Sequence, residues 1–252
     1  MIIAVGSWRG VGATTTALLV ASCLAAAHDD GAWLIEADPA GGVLAGRVDM
    51  PAHAIGGLER IAFPTQRTTV VESCFAAAHV NGRLRIVAAP ADPFRAFACH
   101  QPRMPWAPSL RDLPGSVVVD VGTLRAGSPV WPVLAQADVV LLVASPEVSA
   151  AVAASEWVNA GGRVSPADPG LLDAPAHIVF VESPTGIALA KSVLLAELGG
   201  RCAGWLPWEP NAVDLVNRGA AITDRRLRRS SLVAAVNQMV AQIATLRQAV
   251  MQ

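Results

Sequence analysis

The sequence predicts an α/β fold of three layers, with helices on both faces of a mostly parallel central sheet. Short β-branched apolar runs recur along the chain without polar alternation, the pattern of strands buried on both faces. Segments of helical character separate these runs, which makes the sheet parallel and doubly wound. The first run leads straight into a glycine-rich turn and a helix, so a ligand is expected at the carboxyl ends of the strands near that turn.

The strand-like runs are residues 2–5, 33–35, 84–87, 117–121, 139–143, 178–181 and 202–206. Residues 14–27 are almost wholly apolar or small and predict a helix buried against the sheet. A second helix is predicted over 147–159, entered at Ser145-Pro146 and stopped by Gly161-Gly162, and a third over 184–198, stopped by Gly199-Gly200. The last, from Ser231 to about Val250, carries Leu232, Val236, Met239, Val240, Ile243, Leu246 and Val250 on one face, which some other surface must cover. Residues 91–115 are proline-rich, carry Trp106 and read as a long ordered excursion, with strand patterns on both sides and no domain boundary. One domain over 1–252 is expected, with no internal repeat.

Composition sets bounds. The 252 residues, 53% hydrophobic, supply a substantial core and exclude a disordered chain. A formal net charge of −1 excludes a polyanion binder driven by bulk charge, so any nucleic-acid contact must be local. Cys23, Cys74, Cys99 and Cys202 show no paired spacing and read as reduced, structural residues. The opening MIIAVGS has neither a basic leader nor a cleavage site, and no apolar stretch is long enough to span a bilayer, so a cytoplasmic protein is expected. His28, His53, His79, His100 and His177 have no ligand spacing or nucleophile partner. Lys191 is the only lysine and reads as a surface residue.

The chemistry concentrates in Gly6-Ser7-Trp8-Arg9-Gly10-Val11-Gly12-Ala13-Thr14-Thr15-Thr16. Glycines let backbone amides approach an anion, and the following helix adds its dipole. Against the pattern G-x-x-x-x-G-K-[ST], Ser7 holds the first glycine position and Ala13 the lysine position. A phosphate cradle and a plain tight connection without ligand both fit these residues.

With its neighbours, this segment resembles the MinD/ParA family of deviant phosphate-loop ATPases, whose loop reads KGGVGKTT and precedes a strand ending in D-x-D-P. Here the matching stretches are GVGATTTALLVASCLA and LIEADPAGG. VVVDVG resembles the Walker B strand, ADVVLLVASPEVSA the family's ADxxLLVxxPE segment, and GWLPWEPNAVDLVNRGAAI its stretch G-x-I-P-x-D-x-x-V-x-x-A-N-x-G. The similarity spans nearly the whole chain, and the lysine-free GGVGATT form is what the TadZ/CpaE branch, which localises pilus-assembly machinery, tends to show.

The resemblance implies a phosphate-loop NTPase fold binding ATP or ADP with Mg²⁺. Arg9, Gly10, Val11, Gly12, Ala13, Thr14 and Thr15 would cradle phosphate, with Thr14 on magnesium and Thr15 on the α-phosphate. Asp120 would meet magnesium through water. Asp38 would position the attacking water, Glu36 is its neighbouring acid, and Gly122 matches the glycine that senses the γ-phosphate. Adenine would lie near Glu182, Pro207 and Trp208. Ala13 lacks the lysine that bridges the β- and γ-phosphates, Trp8 replaces the signature lysine that reaches across the dimer, and Arg9 stands one place away. One missing charge-assisted bond, worth about 1.5 to 3 kcal/mol, lowers affinity about 10- to 100-fold. Hydrolysis suffers more, since such cations stabilise charge on the transferring phosphoryl group.

The expected function is therefore a nucleotide-responsive positioning or scaffolding protein with a degenerate loop, acting as a homodimer on a partner in pilus, secretion or division machinery. The alternatives are an interaction module that binds no nucleotide and a slow partition-type ATPase that binds DNA. Arg225, Arg226, Arg228 and Arg229 could meet DNA or acidic lipid, or be a solvated turn ahead of a helix capped by Ser230 or Ser231.

Overall fold

The apolar runs become strands whose side chains are excluded from water on both faces. The computed structural model describes residues 1–64, 68–101, 106–125, 127–160, 174–184 and 189–250, the side chains of 246–250 excepted. In chain order the strands are β1 (Ile2–Ser7), β2 (Ala32–Glu36), β3 (His79–Asn81), β4 (Leu84–Val87), β5 (Ser116–Thr123), β6 (Val139–Ala144), β7 (Ala176–Val181) and β8 (Cys202–Leu206). They join one sheet in the order β3-β4-β2-β5-β1-β6-β7-β8. Every described pairing is parallel except β3 with β4. The fold is the three-layer phosphate-loop NTPase α/β fold.

The helices are α1 (Ala13–Ala27), α2 (Leu44–Arg47), α3 (Gly57–Ala62), α4 (Val70–Ala77), α5 (Pro93–Ala98), α6 (Trp131–Leu134), α7 (Val148–Asn159), α8 (Lys191–Leu198), α9 (Pro210–Asn217) and α10 (Ser231–Val250). The helix predicted over 184–198 begins only at Lys191, and residues 185–188 lie outside the described residues. The excursion 91–115 contains α5 and a 3₁₀ turn at Ala107–Asp112, pinned by buried Trp106, whose Nε1 donates to the Cys99 carbonyl at 2.8 Å. The antiparallel β3 and the helices α2, α3, α4, α5, α6 and α9 escape the pattern of the sequence.

Two apolar layers sandwich the sheet. On one face α1 and α10 pack together with Leu34, Val118, Leu141 and Val179 of the strands. The other face buries Trp33, Ile35, Val119, Leu142 and Phe180 beneath α3, α4 and α7. Each fully buried aliphatic or aromatic side chain contributes about 1.5 to 3 kcal/mol, so these layers dominate stability. The predicted apolar face of α10 is covered by the sheet: Leu232, Val236, Met239 and Ile243 are buried, and Gly204 on β8 leaves no room for a side chain beneath Met239, whose Sδ would lie 2.7 Å from an added Cβ. Ser230 caps the helix, its Oγ accepting from the Val233 amide at 3.1 Å. All four cysteines are free and buried. Burial pushes the thiols of Cys23, Cys74 and Cys99 up to about 12, which keeps them protonated and unreactive.

Candidate functional site at the carboxyl edge of the sheet

β1 lies at the centre of the sheet, between β5 and β6, and delivers residues 8–12 to its carboxyl edge. The turn is built on left-handed glycines, Gly10 at φ 72° and Gly12 at φ 95°. Ser7, in the first-glycine position, serves the turn from within: its Oγ accepts from the Gly10 amide at 3.0 Å. Gly12 is the N-cap of α1 and brings no side-chain cap, and the first turn carries no acidic residue. The leading amides of a fifteen-residue helix therefore face the loop without a protein acceptor, the arrangement that favours an anion.

Three carboxylates gather beside the loop, because the last pair of the parallel β2–β5 ladder sets Glu36 opposite Asp120. Asp120 is fully buried. Its Oδ1 accepts from the Gly122 amide at 3.0 Å, while Oδ2 has no hydrogen-bond partner. Burial raises its pKa to about 7; the Thr14 hydroxyl pulls the other way, and Glu36 and Asp38 add to the rise. Asp38 is also pushed upward by burial, partly offset by the Ala40 amide, which donates to Oδ1 at 2.8 Å. Gly122, at φ 64°, lies against Asp38 so closely that a Cβ would come within 2.1 Å of its carboxyl carbon.

Glu36, expected beside Asp38 as its neighbouring acid, is bonded to the backbone through both oxygens. One oxygen accepts from the Val43 and Leu44 amides at 2.6 and 2.9 Å and the other from the Ala89 amide at 3.0 Å. A carboxylate so engaged ties the loop after β2 to the residue pair after β4, with both oxygens already accepting from backbone amides. Burial raises its pKa, and the three amides work against that rise.

On the other side of the loop opens a cavity of about 350 Å³. Arg9, Val11, Gly12 and Thr15 line it, and Glu182, Pro207 and Trp208 face them across it. Of the residues expected at phosphate, Arg9, Val11, Gly12 and Thr15 thus share one space with those expected at adenine, while Gly10, Ala13 and Thr14 do not line it. Glu182 accepts from the Trp205 indole at 2.6 Å and from the Trp208 amide at 3.4 Å, which fixes this wall. Ala13 is buried at the start of α1, and Trp8 is half-buried against the core.

Three participants were missed by the sequence reading. Thr16 lines the cavity, and its hydroxyl is buried with no partner. Glu209 lines it too and accepts from Ser230 and Ser231 at the start of α10. Arg47, at the end of α2, donates from Nη1 to Thr15 Oγ1 at 3.0 Å. The threonine run was a visible signal for the first; nothing local announced the other two. In the arginine cluster, Arg226 is ion-paired with Asp224 at 2.8 Å, Leu227 is buried, and Arg225, Arg228 and Arg229 are exposed.

Among the described residues no three His, Cys, Asp or Glu side chains form a metal cage. A magnesium ion held through nucleotide phosphates needs none, because it takes most ligands from phosphate and water and only one or two from protein. The unpartnered Asp120 oxygen beside Thr14 suits that demand.

No protein-family model matches the sequence, and no curated protein matches it. Solved structures do. The cell division ATPase MinD of Pyrococcus furiosus is similar at TM-score 0.73 and 16% identity, over 97% of this chain and 98% of that one. The ParA family ATPase of Chlorobium tepidum TLS is similar at 0.72 and 16%, over 95% and 97%. The septum site-determining protein MinD of Pyrococcus horikoshii OT3, complexed with Mg-ADP, is similar at 0.67 and 14%, over 98% and 97%. At these identities the likeness establishes the shared fold, end to end.

Proposed function

We propose that this chain is a MinD/ParA-type protein of the TadZ/CpaE kind, which binds adenine nucleotide with magnesium weakly and works as a nucleotide-responsive positioning or scaffolding protein. The observation that carries this reading is the continuity of the site. Uncapped amides at the start of α1, a buried Asp120 oxygen without a partner and a 350 Å³ cavity meet at one loop.

In this reading the amides from Gly10 to Thr14 bind phosphate, and Thr14 and Asp120 hold the hydrated magnesium. When bound, magnesium neutralises phosphate charge. Asp38, steered by the Ala40 amide and Gly122, orients water, and Glu36 keeps its loop in place. The wall made by Glu182, Pro207 and Trp208 takes the base, and Trp208, half-exposed, offers a stacking surface. Ala13 leaves the β- and γ-phosphates without their lysine, so hydrolysis is slow or absent. The output is then contact with a second copy or a partner at a pilus, secretion or division assembly.

Calorimetric titration with ATP and magnesium, beside Gly12→Val, tests this. Valine at φ 95° is strained and its side chain enters the loop's open space. Wild type is expected to bind with Kd in the range of about 10 μM to 1 mM, one missing lysine above ordinary affinities, and the variant not at all. Equal heats from both proteins, or none from wild type, would overturn the reading.

A further inference from the structure

Arg47 is a half-buried guanidinium whose one described partner is a neutral hydroxyl, Thr15 Oγ1. The described ion pairs engage Arg83, Arg95, Arg111, Arg218 and Arg226, and none engages Arg47. A guanidinium carries five N–H donors and is always charged, so holding it partly out of water against a hydroxyl leaves most of its capacity unused. The start of α1 adds a positive dipole end, since it carries neither a side-chain cap nor an acidic residue in its first turn.

Two further groups in the same place lack a partner of their own. Thr16 Oγ1 is buried, unpartnered and lines the cavity that Thr15 also lines. The amides ahead of it face the loop. A helix start and an unpartnered hydroxyl on one cavity, with a cation bonded to the lining residue Thr15, call for an anion with several acceptor oxygens.

We infer that Arg47 supplies, from α2, the phosphate-binding cation that Ala13 cannot supply from the loop, and that it does so at the phosphate next to the ribose. Its anchor on Thr15 decides which phosphate. Thr14 lies toward Asp120, whereas Thr15 opens on the cavity bounded by Glu182, Pro207 and Trp208. A guanidinium anchored on Thr15 therefore serves the phosphate attached to the nucleoside, which mono-, di- and triphosphates share. Recognition then depends on there being a first phosphate and hardly on how many follow it.

This inference rests on the nucleotide-binding reading above, and the experiment separates their failures. Adenosine, AMP, ADP and ATP, the last two with magnesium, are titrated calorimetrically into wild type, Arg47→Gln and Arg47→Lys, with thermal melting of each protein alongside. Wild type is expected to bind AMP, ADP and ATP within about tenfold of one another. Arg47→Gln is expected to weaken all three by about 10- to 100-fold, leave adenosine unchanged, and melt with wild type. Arg47→Lys, which keeps the charge, is expected to recover part of the loss, and it decides the matter if Arg47→Gln melts early. Unchanged or tighter nucleotide binding by Arg47→Gln, or a loss confined to ATP, would overturn the role of Arg47 and leave the nucleotide-binding reading standing. Absence of binding to wild type would remove both.

Discussion

Asp120 shows how a single side chain can trade stability for function. A carboxyl excluded from water with one oxygen unpaired is costly when ionised, and its pKa of about 7 measures that cost. Because the folded value lies above the unfolded one, stability falls as pH rises from about 4 through 7. Asp120→Asn is therefore expected to raise the melting temperature of the ligand-free protein at pH 8, with a smaller gain at pH 5, and to abolish magnesium dependence of nucleotide binding. Differential scanning fluorimetry at the two pH values checks the first part; a lower melting temperature at pH 8 would contradict it. His100 has the opposite sign. Burial lowers its pKa to about 4, the Ala37 carbonyl opposing. Its neutral folded form contributes fully above about 6.5, and that contribution is lost as pH falls toward 4. A cavity of about 200 Å³ beside His100 and Trp106 gives His100→Phe room, and its melting temperature is expected to fall less than that of wild type between pH 7 and 4.5. The glycine turn was legible in the sequence because it follows an apolar run and opens a helix, whereas Asp38 and Asp120 were singled out through the family resemblance of their stretches. Arg47 was not, because its partner Thr15 lies 32 residues earlier and only the fold brings them together.

Among the elements, α10 carries the clearest consequence. Its spacing announced an apolar face but not what would cover it, since a 3.6-residue period is the same against a sheet, a membrane or a second chain. The structure lays that face on β8 and α1. Met239→Ala is expected to cost about 2 to 5 kcal/mol, read from urea unfolding, because Gly204 beneath it cannot fill the gap. A cost below about 1 kcal/mol would mean that α10 is loosely seated. The central strands were legible for the same reason they are stable: parallel strands buried on both faces need continuous apolar runs. β3 was hidden, since its three residues, His79–Asn81, are polar or exposed and gain strand structure only from pairing with β4. The α2 and α3 turns were equally silent, being fixed by Glu36 and by Gly56 at φ 69° rather than by any periodicity of their own.

For the whole molecule, the sheet order places the loop, the carboxylates and the wall of Glu182, Pro207 and Trp208 along one edge, so a ligand in the cavity would touch elements from both halves of the chain. No described helix is long and apolar enough to cross a membrane. Self-association driven by nucleotide is expected to double the mass seen by light scattering when ATP and magnesium are added, and Gly12→Val is expected to stay at its ligand-free mass. Identical masses with and without ATP for wild type would remove the dimer from the proposed function.

Lys191, the only lysine, lies 5.6 Å from the Trp205 ring, and the Trp205 indole is bonded to Glu182 on the cavity wall. The chain has no tyrosine, so its ultraviolet emission comes from tryptophan alone. An amine-reactive dye coupled under conditions that spare the α-amino group would attach at one place and sit on an indole that shares a hydrogen bond with the cavity. The molecule thereby carries a built-in optical reporter: quenching between dye and indole would record filling of the cavity in real time, with no mutation near it.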